Sequence, residues 1–300
     1  MKKKNLIIYI ILALALTSCN KAPEVQDSTP GGSPETSAVW DSSVSKEPDE
    51  AVKINESGMT ILERFSPPAG SMRIALDAGS FGEYLRNLPL KAFGEQVTYF
   101  NGGKKPDRAY LSVVDQDITK RNLQQCADAI MRLKGEYHYA RGEYDKIAFH
   151  FVNGFLCDFK TWSEGNTVTI DGNNTLWTRK ASNDDSYESF RKYMDLVHAY
   201  ASTLSLEDEL QAVNTMEMKA GDVFVKGGSP GHAIIVVDMA EDTVSGKKYF
   251  MLAQSYMPAQ ETQILRNLND PSLSPWYELK EGPLSTPEWE FVEGSLKRFP

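Results

Sequence analysis

The stretch HAIIVVDMA, His232 to Ala240, constrains the fold more than any other segment of the chain. It is a nearly unbroken apolar run of strand length that follows the turn residues GSPG, so it reads as a buried β-strand. AGDVFVKG, residues 220–227, reads as a strand entry on one side of it. KKYFMLAQSYM, residues 247–257, reads as the next strand, with Gly246 in the turn between them. ETQILRNL, residues 261–268, adds a short strand. The tail from Leu273 to Phe299 reads as loop with Pro-bounded aromatics. A β-rich C-terminal region in sequence order predicts an antiparallel meander.

Helical periodicity dominates further upstream. Phe81, Tyr84, Leu85 and Leu88 predict a short helix that Pro89 stops. Residues 96–100 and 109–114, around Asn101-Gly102-Gly103, predict a hairpin. The strongest helix signal is DITKRNLQQCADAIMRLKGEYHYA, with Leu123, Cys126, Ala127, Ile130, Leu133 and Tyr137 on one face. Asp117 or Thr119 is the expected cap, with a start near Thr119 or Lys120 and Gly142 at the end. Strands are expected at 147–152 and 155–159, a polar loop at 163–186, and a second long helix from Ser186 to Leu210 that breaks near Ser205. The fold class that follows is α+β, with packed helices before the meander.

The N-terminus addresses the chain to a compartment. Lys2, Lys3 and Lys4 precede an apolar run, Leu6–Leu16, that is short for a bilayer span. Leu16-Thr17-Ser18-Cys19 resembles a bacterial lipobox, which implies cleavage before Cys19 and acylation of Cys19. The expected organisation is a signal peptide at 1–18, a Ser/Pro/Gly-rich tether at 19–57 and one globular domain at 58–300. Losing residues 1–18 removes three lysines and no acid, which takes the formal charge from −9 to −12. An acidic surface argues against nucleic acid as a partner. The expected partner is the membrane, through lipidated Cys19, in the cell envelope; leaflet and oligomeric state stay open. A hydrophobic fraction of 41% over 300 residues suffices for one sizeable core. No Gly-rich phosphate loop and no His-Glu-x-x-His helix occurs, so no cofactor or metal is expected.

The meander also carries the candidate chemistry. Gly221-Asp222 opens one strand, Gly231-His232 opens the next, and Gln254 ends the third. An imidazole acts as a base only when a partner sets its tautomer, and Gln254 can supply that partner. Asp238 is the other polar candidate, within the His232 strand. The order resembles the papain-like NlpC/P60 and CHAP cell-wall peptidases. The resemblance implies a papain-like core, with Cys126 as nucleophile, His232 as base and Gln254 as orienter. It departs from that pattern at Cys126, which periodicity places two turns into a helix on its apolar face. A disulfide to Cys157 or a buried structural thiol is the other reading of Cys126. Ser255, Tyr256 and Gln260 are the expected lining of a cleft beside His232, or else a satisfied polar bend.

QQCADAIMRLKGEY, SPGHAIIVVDMA, LAQSYMPAQ and SPWYE resemble the domain-of-unknown-function 4846 family of bacterial lipoproteins. That resemblance implies a shared fold and an envelope location, with no activity attached. Two functions follow from the sequence. One is a cysteine peptidase or amidase acting on cell-wall peptide. The other is a non-catalytic envelope protein that binds peptidoglycan, glycan or a protein partner on the same fold.

Overall fold

The globular domain extends upstream of the expected boundary at residue 58. The computed structural model describes residues 52–106 and 109–300. In it the Val52 N–H donates to the Ser272 carbonyl at 3.2 Å and Ile54 bridges Phe65. Both side chains pack on the core, so residues 52–57 belong to the domain rather than to the tether. The signal segment, Cys19 and the rest of the tether lie outside the described residues.

Short elements come first: α1 (Ile61–Arg64), β1 (Ser71–Arg73) and α2 (Phe81–Arg86), then β2 (Tyr110–Val113). Thr60 and Ser80 cap the two helices by accepting the N–H of Glu63 and Glu83. The hairpin expected at 96–114 is not a ladder. Its turn forms, with the Tyr99 N–H donating to the Gly103 carbonyl at 2.8 Å, but β2 pairs elsewhere. Next come α3 (Cys126–Ala140), the hairpin β3 (Ala148–His150) and β4 (Leu156–Asp158), and α4 (Phe159–Ser163). The segment expected as polar loop is a second hairpin, β5 (Asn166–Asp171) and β6 (Asn174–Arg179). Val168 and Trp177 pair across it, and both pack on the core.

The second long helix divides into α5 (Tyr187–Tyr200) and α6 (Thr203–Glu209), with the break at 201–202. Ser202 accounts for it, because its hydroxyl accepts the Leu204 N–H and starts a new helix. Phe190 and Met194 of α5 pack against α3 at Gly135, where a Cβ would stand 3.2 Å from the Met194 sulfur.

Apart from one short 3-10 turn (Thr215–Glu217), the regular elements that follow α6 are strands joined by loops: β7 (Gln211–Ala212), which precedes that turn, β8 (Val223–Lys226), β9 (His232–Asp242), β10 (Lys248–Gln254) and β11 (Gln263–Leu265), then β12 (Trp276–Glu278), β13 (Leu284–Ser285), β14 (Glu290–Phe291) and β15 (Leu296–Arg298). One antiparallel sheet runs β2-β11-β10-β9-β8-β15-β7, with β1 on the far end of β9 and β12 on that of β10. The tail expected as loop thus supplies β12 and β15 to the sheet.

Alternation along β9 explains its unbroken apolar run. Ala233, Ile235 and Val237 join the core beneath the helices, whereas Ile234 and Val236 join a second core with Phe224, Leu252 and Phe291. A strand covered on both faces has no polar side to show. The molecule is therefore a mixed α/β protein built on a mostly antiparallel sheet, with α2 and α3 packed on β9.

Candidate functional site

Helix α3 begins at Cys126, seven residues later than its periodicity predicts from Thr119. The cause is Arg132, a fully buried residue of α3 itself. Its guanidinium donates to the Asp117 carbonyl, to Asp117 Oδ1 at 2.9 Å and to Gln124 Oε1 at 2.8 Å. Asn122 Oδ1 accepts the Ala259 N–H at 2.7 Å, and the Gln124 carbonyl oxygen lies 3.3 Å from Ser255 Oγ. These long-range bonds hold 117–125 as a strap. Asp128 then starts the helix, accepting the Gln125 N–H at 2.9 Å. Asp117 and Thr119 are not its caps.

Cys126 thus occupies the first helical position, where backbone N–H groups lack helical partners. Its sulfur lies against the N–H groups of Ala233, Ala127 and Cys126 itself. It is half-buried, and both Cys126 and Cys157 are free thiols, so the disulfide expected as one reading is not formed. Cys157 sits buried in β4 beneath the helices.

The strand end that meets Cys126 is set by glycine. A Cβ on Gly231 would stand 2.4 Å from the Gly228 carbonyl oxygen and 2.5 Å from Thr203 Oγ1, so no larger residue fits before His232. His232 follows as the first residue of β9, 1% exposed. Its Nε2 is 2.8 Å from Gln254 Oε1. Gln254 Nε2 donates to Glu288 Oε2 at 2.5 Å, and the same oxygen accepts from Lys105 Nζ at 2.7 Å. Tyr256, Trp289 and Phe291 surround the imidazole, with ring centroids 4.8, 5.3 and 5.9 Å away. The thiol reaches β9 through the Ala233 amide, and no hydrogen bond links its sulfur to the His232 ring.

Burial governs the charge state of both groups. It pushes the Cys126 thiol up to about 11, against the opposing pull of the Ala233, Ala127 and Cys126 amides, and Asp128 adds to the rise. It pulls His232 down to about 4; the Gln254 bond opposes this and the Lys105 charge adds to it. Near pH 7 the corner therefore holds a neutral thiol and a neutral imidazole.

The other residues expected at the site divide. Tyr256 stands beside His232. Ser255 and Gln260 do not line a cleft: both are buried, the Ser255 hydroxyl donates to the Gln260 carbonyl at 2.7 Å, and Gln260 Nε2 donates to the Pro258 carbonyl at 3.2 Å. They shape the bend after β10. Asp222 is structural, paired with Arg298 at 2.6 Å through an oxygen shielded from water. Asp238 takes Arg73 and Arg86, each at 2.6 Å, and so orients no histidine. His138 bonds Glu143 and His150 bonds Glu209, and the two histidines line a separate cavity of about 740 Å³. Trp276 is buried in the core, and Trp162 and Trp177 pack against it.

Sequence reasoning missed Lys105, Glu288 and Phe291, and it placed Trp289 only among aromatics. The available signal was PEWEF, residues 287–291, where acids alternate with aromatics within the Pro-bounded tail. Among the described residues, no three His, Cys, Asp or Glu side chains converge as a metal site, and no helix is long and apolar enough to cross a membrane.

Fold and corner together define a mixed α/β protein in which a helix N-terminal cysteine abuts the strand of an amide-held histidine. The chain belongs to the family described as Domain of unknown function (4846), whose model matches residues 61–298. Compared with curated proteins and with solved structures, the chain gives no match.

Proposed function

We propose that this chain is a cysteine-dependent peptidase or amidase with a papain-like core, held in the cell envelope by lipid on Cys19 and acting on cell-wall peptide. The observation that carries the reading is the position of Cys126 at the first residue of α3, its sulfur against the amide next to His232. Local sequence periodicity argued against that position, and long-range bonds to Arg132 produce it.

In the proposed reaction Cys126 Sγ attacks the carbonyl carbon of an amide. Its proton passes to the unprotonated ring nitrogen of His232 in the same step, because neither group is ionised beforehand. Backbone N–H groups at the start of α3 face the oxyanion that forms. When the C–N bond breaks, the imidazolium returns the proton to the leaving amine. Water then adds to the thioester, giving its proton to His232, and the C–S bond breaks to release the carboxylic acid and restore the thiol.

The neutral pair and the missing sulfur–imidazole bond favour a second reading, a non-catalytic envelope protein that binds peptidoglycan, glycan or a protein partner. One experiment separates the two. The folded chain is incubated with muropeptides and, separately, with iodoacetamide. The catalytic reading expects cleavage that is lost in Cys126→Ser and His232→Ala and kept in Cys157→Ser, with Cys126 alkylated ahead of Cys157. Absence of cleavage together with an inert Cys126 in the folded protein leaves the binding reading.

A further inference from the structure

We propose that Glu288 is a positioning residue that sets the tautomer of His232 through Gln254. The inference deepens the catalytic reading, since the tautomer decides which ring nitrogen can accept the thiol proton; the bonds it uses stand independently of catalysis.

The groups whose donor or acceptor roles have no freedom fix the direction of every bond in this series. Lys105 Nζ can only donate, and it lies 2.7 Å from Glu288 Oε2. A carboxylate so paired only accepts. The Gln254 atom 2.5 Å from the same oxygen must therefore be the amide nitrogen. An amide has two ends, so the end facing His232 must be the carbonyl oxygen. That oxygen accepts, which obliges His232 Nε2, at 2.8 Å, to carry the hydrogen. A neutral imidazole holds one ring proton, so Nδ1 is left with its lone pair. Nδ1 is the nitrogen nearer the backbone, and Cys126 meets that backbone at the next residue, Ala233.

Without the carboxylate nothing fixes the orientation of the Gln254 amide. Gln254 could then present either end to the ring, and His232 would populate both tautomers. The aromatic shell strengthens the arrangement, because Tyr256, Trp289 and Phe291 leave the ring little water to exchange partners with. Lys105 is itself buried, at 2% exposure, and its ammonium lies 5.8 Å from the Tyr256 ring centroid, so the charge that anchors Glu288 is held within the same shell.

The test is ring-nitrogen NMR on the full chain labelled with 15N-histidine. Four histidines are present, and His232→Gln identifies the signal that belongs to His232. At pH 7 wild type is expected to show one tautomer, with Nε2 protonated and Nδ1 unprotonated. Glu288→Gln should move both ring nitrogens toward averaged positions, and turnover should fall by about twofold or more as the competent tautomer is diluted. A wild-type ring protonated at Nδ1 overturns the inference and needs no variant to fold. So does a Glu288→Gln variant whose ring signals match wild type. A wild-type Nε2–H ring in a protein that cleaves no peptide would instead sink the catalytic reading and leave the role of Glu288 standing.

Discussion

The two buried polar side chains of β9 meet opposite fates. Asp238, fully shielded, is saturated: Arg73 and Arg86 each donate to it at 2.6 Å, and the Met239 N–H adds a third donor at 2.8 Å. His232, six residues earlier on the same strand, is held through one ring nitrogen by a neutral amide. A saturated charge can only hold structure. A histidine with one nitrogen committed and a thiol against the next amide can still exchange a proton. Two polar residues that stand side by side as candidates in the sequence of one strand are thus distinguished by what surrounds them in the fold.

Breaking the Asp238 end should have the largest effect. Asp238→Ala strands two partly buried guanidinium groups, and urea unfolding should show a loss of about 3–5 kcal/mol. A loss under about 1 kcal/mol would mean the triad is not structural, and the contrast with His232 would fail.

The His232 end should show itself in pH rather than in raw stability. Its folded value, about 4, lies below the ordinary 6.5, so the unfolded chain takes the proton first. Its contribution is complete above pH 6.5 and is lost as pH falls toward 4. Within that window one proton corresponds to a slope of about 1.4 kcal/mol per pH unit. The difference between wild type and His232→Gln should carry that slope. His198, which burial lowers to about 3, and Asp128, which burial raises to about 7 with the opposite sign, cancel in the difference. Parallel stability curves for the two proteins across pH 4 to 6.5 would contradict a buried neutral imidazole.

Cys126 should matter least to folding. It is half-buried, and Cys126→Ser keeps a small polar group at the helix start, so a cost below about 1 kcal/mol is expected from thermal unfolding. Cys157→Ser places a hydroxyl in the apolar core and should cost about 1–3 kcal/mol. Equal costs would erase the distinction between the two thiols. Alkylation sharpens the same point: the Cys126 rate should climb with pH toward an inflection near 11, and a plateau below pH 8 would mean that the amides around the sulfur outweigh its burial.

Much of this site lay open in the sequence. Gly231-His232 before an apolar strand and Gln254 at the end of the next predicted their pairing, and strand register delivers it: Ala253 pairs with Ile235, which sets Gln254 beside the start of β9. Local rules worked because they act over a few residues. They failed where a distant group outbids the local preference. Periodicity from Leu123 to Tyr137 carries no trace of Arg132 claiming the strap at 117–125 for itself. Ser255 and Gln260 look like cleft residues until their hydroxyl and amide are found satisfied within the bend. Glu288 is 34 residues from Gln254, and no local pattern joins them.

By itself the sequence determined a strand that must be covered on both faces, the helices available to cover it, and the residue types at the corner, because hydrophobic periodicity and turn chemistry are written locally. Tertiary structure alone decided that α3 starts at Cys126, that Asp238 belongs to two arginines, and that Glu288 stands behind Gln254. The physical reason is common to all three. A buried charge or polar donor must find its partner, and in a folded chain that partner is set by proximity in space rather than by distance along the sequence.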